Sequence, residues 1–176
     1  LDLDLTVDFD QRTLRGRVRI HLDRPAEGAL DLDGQALQIQ SVHTSDGREV
    51  PWHHADSDPV RRDRIRLELP EGTEVVEIVY RTGEDAEALG WLEPQQTAGG
   101  AHPFLFSQCQ PIYARTMVPC QDTPRHRVTY DASITVPRPL RAVMSAASEG
   151  EHDAGEGWTT WRFCMPQPIP TYLIAL

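Results

Sequence analysis

The stretch Leu1-Asp-Leu-Asp-Leu-Thr-Val-Asp-Phe-Asp10 alternates apolar and polar residues with a period of two. Successive side chains of a strand point to opposite faces, so this is the pattern of a strand with one wet face and one buried face. Residues 14–22 repeat it: Leu14, Gly16, Val18, Ile20 and Leu22 share one side and arginines occupy the other, which makes the two runs a hairpin through Asp10, Gln11 and Arg12. Further strands are expected at 29–32, 37–42, 65–69, 75–80, 127–136, 140–146 and 158–163. Turn chemistry separates them at Asp33-Gly34, Asp46-Gly47, Pro70-Glu71-Gly72, Pro137-Arg138-Pro139 and Gly155-Glu156-Gly157. Only residues 84–89 and 113–118 invite a helix, and both are too short to form a layer. The expected class is all-β, a saddle-like sandwich of packed mixed and antiparallel sheets with one or two short helical turns and no linker dividing residues 1–176. The longest irregular stretch, 83–103, is of a length that in compact proteins is commonly functional or partner-facing.

A chain of 176 residues is long enough to bury a core without staples. Its composition, 39% hydrophobic and 25% charged, is that of a globular protein, and no apolar run approaches the ~20 residues of a membrane-spanning helix. A formal net charge of -10 opposes binding to a phosphate backbone, so neither membrane nor nucleic acid is an expected partner. All 17 basic residues are arginine, which is read as compositional bias. Cys109, Cys120 and Cys164 are odd in number and show neither CxxC spacing nor a paired cysteine–histidine pattern, so reduced, buried thiols and a cytoplasmic location are expected. The chain opens on Leu1 and closes on the apolar run Tyr172 to Leu176, from which it is expected to be part of a longer polypeptide.

The densest cluster of unusual residues is His102-Pro-Phe-Leu-Phe-Ser-Gln-Cys-Gln-Pro-Ile-Tyr-Ala-Arg-Thr-Met-Val-Pro-Cys-Gln-Asp-Thr-Pro124. It enters as a strand, and the alternation places Gln108 and Gln110 together on one side. Two neutral amides there offer donors and acceptors suited to an ammonium, a hydroxyl or a peptide carbonyl. The residues alone leave open the alternative that they cap backbone groups at a sheet edge. Arg115 and Asp122 are placed to form a structural ion pair, and Asp122 to close a turn on its own backbone. The seven histidines show no HExxH spacing, and adjacent His53 and His54 would face opposite ways on a strand, so no metal site and no catalytic residue is assigned. No GxSxG elbow or phosphate loop is present. Trp52, Trp91, Trp158 and Trp161 read as core or loop anchors, with a sugar-binding platform as the alternative.

Three linked runs, Gly90-Trp-Leu-Glu-Pro-Gln-Gln-Thr97, His102-Pro-Phe-Leu-Phe-Ser-Gln-Cys-Gln110 and Val118-Pro-Cys-Gln-Asp-Thr-Pro124, closely resemble the amino-terminal domain of leukotriene A(4) hydrolase and its aminopeptidase B relatives. The resemblance continues through 5–9, 12–16, 143–146 and 168–176, and so covers essentially the whole chain. It implies a three-part parent: this β domain, a thermolysin-like domain holding zinc through HExxH and a distant glutamate, and a helical domain. On that reading residues 1–176 bind no zinc and are inactive alone, and they dock on the catalytic domain through an apolar face near the glutamines. The resemblance also implies that Gln108 and Gln110 contact the free amino terminus of a peptide substrate. Epoxide hydrolysis is expected only if the remaining domains match the leukotriene enzyme. A non-catalytic β-sandwich interaction or scaffold module descended from such peptidases is the rival. The position after the second glutamine, commonly alanine in the family, is Pro111 here, and the peptide before it is expected to be cis, which costs far less before proline than before other residues.

Overall fold

The computed structural model describes residues 1–55 and 63–176. Strands β1 (Asp2–Asp8) and β2 (Thr13–His21) form the hairpin read from the alternation, with Leu5 opposite Gly16 and Val7 opposite Leu14. The Gln11 N–H donates to Asp8 Oδ1 at 3.0 Å to fasten the turn, and Arg12 takes a left-handed φ of 48°. Leu3, Leu5, Val7, Leu14, Val18 and Ile20 are buried, while Arg15, Arg17 and Arg19 face water. Burying such an aliphatic side chain contributes about 1.5 to 3 kcal/mol. A one-residue slip would turn the whole set outward, so the register is strongly specified.

With β4 (Gln38–Thr44), β7 (Val75–Arg81), β10 (Arg127–Pro137), β11 (Ala147–Gly155) and β12 (Trp158–Pro170), this hairpin builds a seven-stranded sheet of order β11-β12-β10-β1-β2-β7-β4. Only β1 and β10 pair in parallel in that sheet. A second sheet, β3-β6-β5, joins β3 (Ala29–Asp33), β6 (Arg64–Glu68) and β5 (Trp52–Ala55). Its Leu32, Ile65 and Leu67 enter the same buried cluster as Val18, Ile78 and Ile134 of the large sheet. A third, two-stranded sheet pairs β8 (Leu89–Leu92) with β9 (Phe104–Ser107). This is the expected all-β sandwich of mixed and antiparallel sheets, and among the described residues its helical content is three short 3-10 turns at Pro94–Gln96, Ala114–Thr116 and Thr171–Leu173.

Four local readings are corrected. Residues 84–89 make two turns and then start β8 instead of forming a helix, because the chain must reverse from β7 into the small sheet. Residues 140–146 form no strand, and the chain bends at Ser145 and Ala146. Their alternation is real, with Ala142 and Met144 buried around an exposed Val143, yet no neighbouring strand takes their backbone ladder. The strand lies just beyond, in β11, all nine of whose residues are exposed at the edge of the large sheet, so no apolar pattern marks it. β12 runs past the expected Phe163 to Pro170, and Pro166, Gln167 and Pro168 bulge out between the paired positions Met165 and Ile169.

Candidate functional site

The candidate site is an arm that leaves the small sheet after β9. Leu105 is half-buried against the core, while Phe104 and Phe106 point outward, 51% and 43% exposed, with their rings stacked 6.3 Å apart. Phe106 lies over Gly90 of β8, its cross-strand partner, where any Cβ would meet the ring at 2.3 Å. On the opposite side Trp91 packs edge-on against Phe9, with centroids 5.6 Å apart, so the small sheet is tied to the large one. Arg12 and Glu93 add an exposed ion pair between the hairpin turn and the loop after β8.

Beyond Ser107 the alternation of burial persists through the turn: Gln108 exposed, Cys109 buried, Gln110 exposed. Cys109, 2% exposed, is the anchor that leaves both glutamines facing outward. The Gln108 N–H donates to Ala88 O at 2.7 Å and the Tyr113 N–H to Cys109 O at 2.8 Å, fixing the backbone on both sides. Gln108 Oε1 accepts the Gln110 N–H at 3.3 Å, and among the described residues the Gln110 side chain has no hydrogen-bond partner. The two glutamines are therefore brought together at the surface as the alternation required. The Gln110–Pro111 peptide is cis, as expected, and Arg138–Pro139 is also cis, which the sequence reading did not anticipate.

The far end of the arm is held by a buried charge network. Asp122 Oδ2 accepts from the Arg115 backbone N–H at 3.1 Å and from Arg115 Nε at 3.2 Å. Arg115 also donates through its guanidinium to Asp122 O at 2.9 Å. This is the structural pair expected from the sequence. Two further members were not foreseen: Asp33, which accepts the Asp122 N–H at 2.8 Å, and Thr171, whose hydroxyl donates to Asp122 Oδ1 at 2.6 Å. In the sequence Asp33 carries only a turn signal with Gly34, and nothing in a local pattern joins residues so far apart along the chain. Ser107 was missed for the same reason: its N–H donates to Leu176 O and its hydroxyl accepts the Leu176 N–H, both at 2.8 Å.

All three cysteines are free thiols. Burial, reinforced by the negative charge of Asp122, pushes the Cys109 thiol up from its ordinary 9.0 to about 12, and burial, with the charges of Asp122 and Asp33, also holds the Cys120 thiol well above its ordinary value. A thiol whose folded pKa exceeds its unfolded one contributes stability that is intact below pH 9 and lost as the pH rises through the folded value. Between pH 9 and 11 the fold is expected to weaken by roughly 1 kcal/mol per pH unit through Cys109, with Cys120 acting in the same direction. Urea midpoints across that range check this, and Cys109→Ala is expected to remove one thiol's share of the slope.

Among the described residues no group of three or more His, Cys, Asp or Glu could hold a metal ion. His53 and His54 are both exposed on β5 and pair with different residues of β6. The architecture, with a glutamine-bearing arm projecting from an all-β sandwich, coincides with a known family: a model described as the peptidase M1 N-terminal domain matches residues 1–173. The chain belongs to that family. Leukotriene A-4 hydrolase from Xenopus laevis is 36% identical to this M1 N-terminal domain over 185 residues, covering 100% of the chain and 30% of the relative. Leucine aminopeptidase 2 from Aspergillus fumigatus is 36% identical, covering 96% of the chain and 29% of that protein. The structure of native yeast LTA4 hydrolase superposes with a TM-score of 0.84 at 32% identity, over 99% of this chain and 27% of that one. An M1 zinc metallopeptidase from Deinococcus radiodurans shares the fold, with a TM-score of 0.77 at 22% identity over 99% of this chain and 40% of that one. The M1 N-terminal domain described here thus spans less than a third of the length of the curated relatives named.

Proposed function

We propose that this M1 N-terminal domain is the substrate-recognition part of a zinc aminopeptidase that removes amino-terminal residues from peptides, and that Gln108 and Gln110 hold the ammonium of the substrate's first residue. The observation that carries the reading is the exposed, unpartnered Gln110 amide on a backbone anchored at Cys109 and Tyr113. An ammonium has donors in three directions and no acceptor, so two amide oxygens on one side of an arm suit it. Each hydrogen bond to that charge is worth about 1.5 to 3 kcal/mol, enough to favour a peptide's first residue over its interior, where no ammonium exists.

Hydrolysis needs a group that activates water, and among the described residues no three His, Cys, Asp or Glu side chains are grouped to hold a metal ion. The zinc centre, which would supply that chemistry, is assigned to polypeptide outside these 176 residues. The exposed pair Phe104 and Phe106, beside the glutamines, is assigned to docking on that catalytic domain. A cytoplasmic location is proposed with this reading, since free thiols are compatible with a reducing compartment.

The test is Gln110→Ala in the longer enzyme, assayed on amino-acid anilides with free and with blocked amines. The expected result is a fall in kcat/KM of about ten- to a hundredfold on the free-amine substrates alone, the worth of one charged hydrogen bond. Equal behaviour of variant and parent on both sets would return Gln110 to a structural role.

A further inference from the structure

We infer that Asp122 and Thr171 are positioning residues for the glutamine arm, because the short segment 171–176 grips both ends of it at once. This rests on the recognition role proposed for Gln108 and Gln110. Before the glutamines, Ser107 exchanges two hydrogen bonds with Leu176, each 2.8 Å. After them, the Thr171 hydroxyl donates to the Asp122 carboxylate at 2.6 Å. Residues 107 and 122 are distant along the arm, whereas 171 and 176 are separated by one 3-10 turn and the buried Ile174, 1% exposed. The arm is therefore a loop whose two feet stand on one rigid bar.

The bar is itself fixed. Ser145 Oγ donates to Leu173 O at 2.6 Å and accepts the Ala175 N–H at 2.9 Å, and the Tyr130 hydroxyl shares a 3.0 Å hydrogen bond with it. The second foot is also pinned to the smaller sandwich sheet, since Asp33 at the end of β3 accepts the Asp122 N–H. Thr171 and Asp122 are each 1% exposed, so water cannot replace a lost hydrogen bond between them. Thr171 adds a side-chain tie to a foot that the Asp33–Cys120 backbone pair also holds, and a foot held less firmly lets the two amides wander, so that an ammonium meets them in the right geometry for a smaller share of the time. The residues holding the second foot thus set how well the glutamines bind, without touching the substrate.

Thr171→Val removes the hydroxyl while keeping the shape, and Thr171→Ser restores it. In the 176-residue chain, backbone 15N relaxation is expected to show order parameters for 108–113 falling from about 0.85 to below about 0.6 in the valine variant, with β1 and β2 unchanged and the serine variant like the parent. A loss of global stability alone does not move this readout, since relaxation samples the native state. Unchanged order parameters in 108–113 overturn the inference. In the longer enzyme, Thr171→Val is expected to raise KM for free-amine substrates about tenfold, with a smaller change in kcat and recovery in Thr171→Ser. It is expected to add nothing once both glutamines are alanine. An effect confined to kcat, or one that persists without the glutamines, overturns the inference. If Gln110→Ala alone leaves the free-amine preference intact, the recognition reading fails, and the relaxation result still decides whether Thr171 holds the arm.

Discussion

Replacing Asp122 with alanine is expected to destabilise the fold by about 3 to 5 kcal/mol, the range for breaking a buried ion pair from one side. The side chains of Asp122 and Arg115 are 1% and 4% exposed, so neither charge has water to fall back on. Without the carboxylate, the Arg115 guanidinium retains Asp33 as a charged neighbour at 3.7 Å, a longer and weaker contact, and the Thr171 hydroxyl loses its acceptor. Domains of this kind are stable by only about 5 to 15 kcal/mol, so the variant is expected to melt well below the parent in a thermal scan followed by circular dichroism. Asp122→Asn keeps the shape and one acceptor oxygen and is expected to cost less. A loss below about 1 kcal/mol for the alanine variant would mean that the pair is not shielded from water as described. The exposed pair of Arg138 and Asp153, 2.8 Å apart, contributes little by comparison, because water screens both charges.

What the sequence disclosed and what it withheld divide along a physical line. Where one face of a strand is buried and the other wet, as in β1 and β2, the period of two appears directly in the residues, and those strands were read correctly. The glutamine arm was legible for the same reason: Phe104, Phe106, Gln108 and Gln110 are all exposed, around the half-buried Leu105 and Ser107 and the buried Cys109. β11 was not legible, since an edge strand wet on both faces carries no pattern to find. Residues 140–146 gave the opposite error, because alternation reports burial and not hydrogen bonding, and their Ser145 pairs with the closing segment instead of a sheet. The clamp on the arm needed Asp33, Asp122 and Thr171 from three separate parts of the chain. Burial of a polar residue far from its partners in sequence leaves no local trace, so only the Arg115–Asp122 half, seven residues apart, was in reach.

Gly16→Ala is the second substitution expected to act strongly, by the reverse route of adding an atom where there is no room. Gly16 lies opposite Tyr80 in the β2–β7 register, and a Cβ on it would fall 2.3 Å from Tyr80 Cζ and 2.7 Å from the hydroxyl. The ring is 1% exposed within the main core, so it cannot swing into solvent as the exposed Phe106 ring could over Gly90. Either the two strands separate locally or the ring leaves its rotamer, and overpacking of this kind costs about 1 to 3 kcal/mol, with the upper end expected here. Among the described residues the Tyr80 hydroxyl has no hydrogen-bond partner, although it is buried. Tyr80→Phe alone is therefore expected to be neutral or slightly stabilising, since it deletes an unsatisfied polar atom. It is not expected to rescue Gly16→Ala, because Cζ stays in place. Tyr80→Leu removes the obstructing end of the ring, so the double variant is expected to be more stable than the sum of the two single losses by at least about 1 kcal/mol. Urea denaturation of the four proteins in that cycle measures the difference, and strict additivity would show that the two strands, rather than the ring, give way.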